Sequence, residues 1–465
     1  MKTMKLLHDL RPMGRAARLA LSACLLVPLV FFGAVFAVIT ATPAAATAAL
    51  PYTPLTPARI CDTRAEQTGI VAANQCNHNG TGTGTLAAGG TLTVAMPVSV
   101  PSGATAVVLN VTVADTTAAS YLTAWPTGTT QPLVSNLNWV AGETIANLVE
   151  VTLGTSNSVS FYNYAGSTDV VVDLEGFVAP ITTGTNPAET GLYNPLTPAR
   201  ICDTRAEQTG VVAANQCNHS GSGTGTLAAA TTIAVQVTGD GGVPASGVAA
   251  VVLNVTVTNT TASSYLTVWP AGATQNVVSN LNWVAGETIA NRVIVPVGTG
   301  GQVSVYNYAG SADVVIDVGG WFTDDSSASA TGDSYVALAP ARICDTRAAQ
   351  TGVVAANQCN NNGSGTGTLG AADTLPVQVT GEGGVPASGV SAVVANVTVT
   401  NTTGSSYLTV WPAGTTQPLA SDLNWVAGVT IPNLVVVELG SDGALSIFNY
   451  AGSTDVVVDV EGYYT

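Results

Sequence analysis

The sequence predicts an all-β protein: three tandem β-sandwich domains, jelly-roll or Ig-like, behind an N-terminal signal segment. Three observations carry that expectation. The block Pro57-Ala58-Arg59-Ile60-Cys61-Asp62-Thr63-Arg64 returns at Pro198–Arg205 and at Pro340–Arg347. Inside each copy apolar residues recur with a period of two, and Gly, Asn and Ser clusters break the runs every 8–14 residues or so. The length, 465 residues, suits three domains of roughly 150 each.

The N-terminus comes first. Lys2, Lys5, Arg11, Arg15 and Arg18 precede an apolar stretch from Leu19 to Ile39, and small residues follow to Ala49. This order is that of an export signal, residues 1–49, with an A-x-A site such as Ala44-Ala45-Ala46. Left uncleaved, the stretch is long enough to anchor the chain in a membrane. Leu21-Ser22-Ala23-Cys24 imitates a lipoprotein box, but too little apolar sequence precedes it. Without this segment the chain keeps seven arginines and no lysine against 27 acidic residues, a net charge of 7 − 27 = −20. Such an acid excess argues against nucleic acid and against anionic membrane surfaces.

The repeats occupy 51–178, 193–323 and 335–465, joined by Thr-, Ser-, Gly- and acid-rich linkers at 179–192 and 324–334 that are expected to be flexible. Their cysteines recur at 61, 202 and 344, a period too long for a solenoid. In the first copy Val107, Leu109, Val111 and Val113 alternate with Val108, Asn110 and Thr112. Then come Tyr121–Trp125, Asn136–Trp139, Leu148–Leu153, Ser158–Tyr162 and Asp169–Leu174 as strand candidates. Asn-x-Thr triplets such as Asn110-Val111-Thr112 lie inside these strands and are taken as chance matches to glycosylation acceptors.

Each copy holds one cysteine pair, Cys61/Cys76, Cys202/Cys217 and Cys344/Cys359. In an exported chain an even pair per domain predicts a disulfide, and closing a loop of about 15 residues contributes roughly 3 kcal/mol. Six of the seven remaining arginines are paired positions: Arg59/Arg64, Arg200/Arg205 and Arg342/Arg347. In a domain this poor in charge they are expected to pair with Asp173, Asp317 and Asp459 near the end of each copy. Two alternatives stay open: a sugar-acid or carboxylate site on the arginines, and Ca²⁺ at the aspartates. No other metal or cofactor is expected.

A candidate ligand face follows from the period of two. Tyr121, Thr123 and Trp125 share one side of a strand, as do Tyr265/Thr267/Trp269 and Tyr407/Thr409/Trp411. Asn136 and Asn138, Asn280 and Asn282, and Asn424 flank them. Aromatic rings cover the C–H face of a sugar and amides bind its hydroxyls. The competing reading packs these aromatics into a core or an interdomain seam. Trp139, Trp283 and Trp425 alternate with Asn and are expected to point inward.

Catalysis is not expected. The position of His78 is His219 in the second copy but Asn361 in the third, and lysine chemistry is excluded after the leader. Glu143 and Glu287 are matched by Val429, and Glu66 and Glu207 by Ala349, so carboxylate pairs do not repeat.

The ordered motifs, namely the Pro-Ala-Arg-Ile-Cys-Asp-Thr-Arg block, Val243-Pro244-Ala245, Val251–Thr256, Tyr265–Pro270, Ser279–Asn282 and Asp317–Phe322, resemble a β-domain of exported bacterial proteins. That domain occurs in tandem or appended to secreted hydrolases such as proteases and cell-wall lytic enzymes. The resemblance implies an accessory or surface module and brings no catalytic residues. The expectation is therefore a secreted or cell-surface bacterial protein that binds cell-wall or environmental polysaccharide through several copies of one site, as an adhesin would. The alternative is a self-associating surface-layer or fibre subunit, with a secreted hydrolase a distant third.

Overall fold

The structure, a computed structural model, describes residues 48–465 apart from 66–71, 77, 79–81, 182–189, 207–211, 218–222, 276–277, 327–331, 349–357 and 360–364. The signal segment thus lies outside the described residues except at its last two positions. No helix among the described residues is long and apolar enough to cross a membrane.

The first repeat forms β1 (Tyr52–Asp62), β2 (Thr91–Ala95), β3 (Ala106–Ala114), β4 (Ser120–Pro126), β5 (Leu137–Trp139), β6 (Ile145–Thr152), β7 (Ser158–Asn163) and β8 (Asp169–Val178). The second gives β9 (Tyr193–Asp203), β10 (Thr231–Gln236), β11 (Val248–Thr258), β12 (Ser264–Pro270), β13 (Leu281–Trp283), β14 (Ile289–Pro296), β15 (Gln302–Asn307) and β16 (Asp313–Thr323). The third gives β17 (Tyr335–Asp345), β18 (Thr374–Gln378), β19 (Ala392–Thr400), β20 (Ser406–Pro412), β21 (Leu423–Trp425), β22 (Ile431–Glu438), β23 (Ala444–Asn449) and β24 (Asp455–Tyr464). Each repeat makes two antiparallel four-stranded sheets, ordered β1-β8-β3-β6 and β2-β7-β4-β5 in the first. Val107, Leu109, Val111 and Val113 of β3 meet Leu122, Ala124, Val159 and Phe161 of the other sheet in a shared apolar core.

The arrangement of these sheets departs from the expected one. The repeats lie within one compact unit, Ala44–Thr465. The edge strands β6, β14 and β22 touch one another, and β13, β21 and β5 come in against β6, β14 and β22 in turn. The expectation of three tandem β-sandwich domains, jelly-roll or Ig-like, is therefore corrected to six four-stranded sheets gathered about one centre, a six-bladed, propeller-like body. The physical reason lies in the second face of the inner strands. Ala106, Val108, Leu148 and Val178, with Ala250, Val252 and Ile294 and with Ala392, Val394 and Leu434, form a separate apolar cluster drawn from all three repeats. A strand buried on both faces needs a neighbour on each.

Polar residues close the same centre. The Leu148 N–H donates to Asn291 Oδ1 (3.1 Å), the Arg292 N–H to Asn433 Oδ1 (3.0 Å) and the Leu434 N–H to Asn147 Oδ1 (3.1 Å), a cycle from repeat to repeat. The amide of Asn147 returns to Asn396 Oδ1, that of Asn291 to Asn110 Oδ1 and that of Asn433 to Asn254 Oδ1. Asn110, a member of this network, is buried, as is Thr112 beside it on β3. A buried amide is tolerated because its hydrogen bonds are made. At the other end Tyr52, Tyr193 and Tyr335 donate to the carbonyls of Glu175, Gly319 and Glu461. Gly176, Gly320 and Gly462 leave room for these rings, since a Cβ at any of them would collide with a tyrosine.

The linkers are tied in where they are described. The Tyr52 N–H donates to Gly191 O and the Gly191 N–H to Thr323 O, each at 2.9 Å. Ser334 exchanges two backbone hydrogen bonds with Thr465.

Candidate functional site

The arginine block sits where register dictates. Across β1 and β8, Arg59 lies opposite Asp173, and Asp173 lies opposite Asn110 on β3. Arg59 Nε and Nη2 reach Asp173 at 2.8 and 3.1 Å, a bidentate fork. Arg200–Asp317 and Arg342–Asp459 repeat it with Nε–Oδ1 distances of 2.8 Å. Burial works against the charge on Arg59, but Asp173 and then Asp62 outweigh it and raise its pKa. The second arginine forks its own neighbour: Arg64 Nε and Nη2 hold Asp62 at 2.9 and 2.7 Å. The disulfides Cys61–Cys76, Cys202–Cys217 and Cys344–Cys359 are all present beside these pairs. Among the described residues no cluster of three or more metal-ligating side chains occurs at the aspartates or elsewhere.

Closure of the body places each arginine pair against the tyrosine strand of the next repeat. One cleft of about 450 Å³ is lined by Arg342 and Arg347 of the third repeat and by Tyr121, Thr123, Asn138 and Tyr164 of the first. Residues 131–135 complete its wall. A second, of about 430 Å³, sets Arg200 and Arg205 against Tyr407, Asn424 and residues 417–421. At the third junction Arg59 acts electrostatically on Tyr265, the corresponding tyrosine.

A tyrosine pair stands at each of these positions. Tyr121 stacks on Tyr164 with centroids 4.9 Å apart, and Tyr265–Tyr308 and Tyr407–Tyr450 stack at 4.8 Å. The outer rings Tyr164, Tyr308 and Tyr450 are 57%, 54% and 57% exposed. Their turn is fixed: Ser120 donates to Asn163 Oδ1 and accepts the Ala165 N–H, both at 2.8 Å, while Gly166 takes φ +59°. That conformation favours glycine, so the ring is presented by a rigid turn. Burial, followed by the neighbouring tyrosines, raises the pKa of Tyr121, so its hydroxyl stays a donor at neutral pH.

The predicted ligand residues thus divide. Tyr121, Tyr407, Asn138 and Asn424 line clefts. Trp125, Trp269 and Trp411 do not present their rings to solvent: all are buried, and their indole N–H groups donate to Thr129 O, Ala273 O and Thr415 O at the adjacent turn. Asn136 and Asn280 are also interior, accepting the Ala124 and Val268 N–H groups. Asn282 donates to Ser279 Oγ beside the third junction. Trp139, Trp283 and Trp425 are buried. Sequence reasoning missed Tyr164, Tyr308 and Tyr450; the available signal was Asn-Tyr-Ala-Gly recurring at 163–166, 307–310 and 449–452, a large aromatic held in a turn.

No family model matches the chain, and no curated protein sequence matches it. Among solved structures it is similar to a chain from the triple jelly roll fold and turret assembly of an archaeal virus, at 9% identity and a TM-score of 0.16 over 80% of this chain and 81% of that one. A chain from the atomic structure of Sulfolobus turreted icosahedral virus is similar at 9% identity and a TM-score of 0.17, over 80% and 82%. At these TM-scores the likenesses carry no argument about fold or function.

Proposed function

We propose that this protein is an exported, non-catalytic surface protein of bacteria that binds polysaccharide in the clefts between its repeats. The observation that supports this most is the exposed, stacked tyrosine pair held by a rigid turn beside each cleft. Rings that are fixed before binding lose little entropy on meeting a sugar. Asn138 and Asn424 supply amide groups to the same clefts, and among the described lining residues there is no histidine or carboxylate to act as a base. Three disulfides fit an oxidising, extracellular setting. Several weak sites on one body raise avidity by about 10²–10⁴ over one.

The test is co-sedimentation of residues 50–465 with insoluble peptidoglycan, chitin and cellulose. The variant Tyr164→Ala/Tyr308→Ala/Tyr450→Ala is expected to lose about tenfold or more in retention on the polysaccharide that binds. Trp125→Ala, by contrast, acts only through stability. Retention unchanged in the triple variant contradicts the assignment of the site. Absence of binding with salt-dependent self-assembly favours a surface-layer subunit instead.

A further inference from the structure

The distribution of positive charge narrows the ligand class. After the leader the chain holds seven arginines and no lysine. Arg292 is buried against Asp422. Four of the other six line the two described clefts, and Arg59 lies at the third junction near Tyr265. The two described clefts therefore hold four of the chain's seven arginines although its net charge after the leader is −20. The counter-charges stand behind: Asp345 and Asp459 have side chains 0% and 1% exposed, whereas Arg347 is 26% exposed. Among the described residues no carboxylate lines either cleft. Each Asp–Arg pair at these two clefts is thus a fixed dipole with its positive end toward the cleft, and Arg347 keeps Nη1 without a protein hydrogen bond among the described residues. A planar guanidinium already oriented by its other edge is suited to an anionic oxygen.

We infer that the clefts select saccharides bearing an anionic group, carboxylate or phosphate, over neutral ones. This rests on the polysaccharide reading above and adds the class of sugar. The tyrosine pair takes the ring face, and the arginine of the preceding repeat takes the charge.

The experiment is calorimetric titration of residues 50–465 with three probes: an oligogalacturonate, its carboxyl-reduced neutral counterpart and a poly(glycerol phosphate). The oligogalacturonate is expected to bind at least about tenfold more tightly than the reduced oligomer, and the phosphate polymer reports whether phosphate alone suffices. In Arg64→Gln/Arg205→Gln/Arg347→Gln the acidic and neutral affinities should converge, and Arg→Lys at the same positions should restore part of the gap. Equal wild-type affinity for acidic and neutral oligomers overturns this inference and leaves polysaccharide binding standing. Binding of none of the probes, alongside no retention on insoluble glycans, overturns both. The wild-type comparison decides even where the Gln variant fails to fold.

Discussion

Glu150 has neither carboxylate oxygen bonded among the described residues and stands where the other repeats place Ile294 and Val436. Burial pushes its pKa up to about 8, and the same cause raises Glu175 and Glu461. The sign follows: a carboxyl whose folded pKa lies above its unfolded one holds a proton in the folded state. The stability this contributes is complete below pH 4.5 or so and is lost as pH rises toward about 8. Melting temperature is therefore expected to be highest near pH 5 and to fall toward pH 8, with Glu150→Gln flattening the fall. Glu150→Ile, which copies the second repeat, should stabilise the protein at pH 7 by on the order of 3 kcal/mol. Thermal melts of the three proteins across pH check this; a flat wild-type profile contradicts it.

At the scale of strands, the three junctions are variations on one contact. Asn136 Nδ2 on the loop before β5 donates to Glu461 Oε1 of β24 at 2.6 Å, and Asn280 Nδ2 approaches Glu175 Oε1 of β8 at 3.4 Å. Between the second and third repeats Asp422 replaces the asparagine and Gly319 the glutamate. There Arg292 of β14 fills the space and reaches Asp422 Oδ1 at 2.8 Å. A Cβ at Gly319 would already touch the guanidinium at 3.4 Å, so a side chain as long as glutamate there would compete with Arg292 for the space. Arg292→Leu leaves a buried aspartate unpaired and should cost about 3–5 kcal/mol, while adding Asp422→Asn should recover most of it. Denaturant unfolding of the single and double variants measures the recovery; additive losses contradict the pairing. The alternation of Val107, Leu109, Val111 and Val113 made these strands legible in the sequence. What was not legible is that Asn110, Thr112 and Asn136 are also interior, because a polar row looks solvent-facing until its partners in another repeat are known. The site shows the same limit: Tyr121 could be read from its strand and Arg347 from its block, but their meeting depends on closure between the first and third repeats.

For the whole molecule, each repeat presents one surface to the next and a different one to the previous, and three such contacts close into a ring. Heterologous contacts that close produce a finite body rather than a fibre. The ring is also what assembles the clefts, since each takes arginines from one repeat and tyrosines from another. Inner strands with no solvent-facing side make the repeats depend on each other for stability, which three domains on flexible linkers would not. The most direct measurement is differential scanning calorimetry of residues 50–465 beside Leu266→Ala, a substitution at a fully buried core position of the second repeat alone. The account predicts one cooperative transition in the parent that moves down as a whole in the variant. A variant in which about one third of the unfolding enthalpy separates to lower temperature, with the rest unmoved, would contradict it.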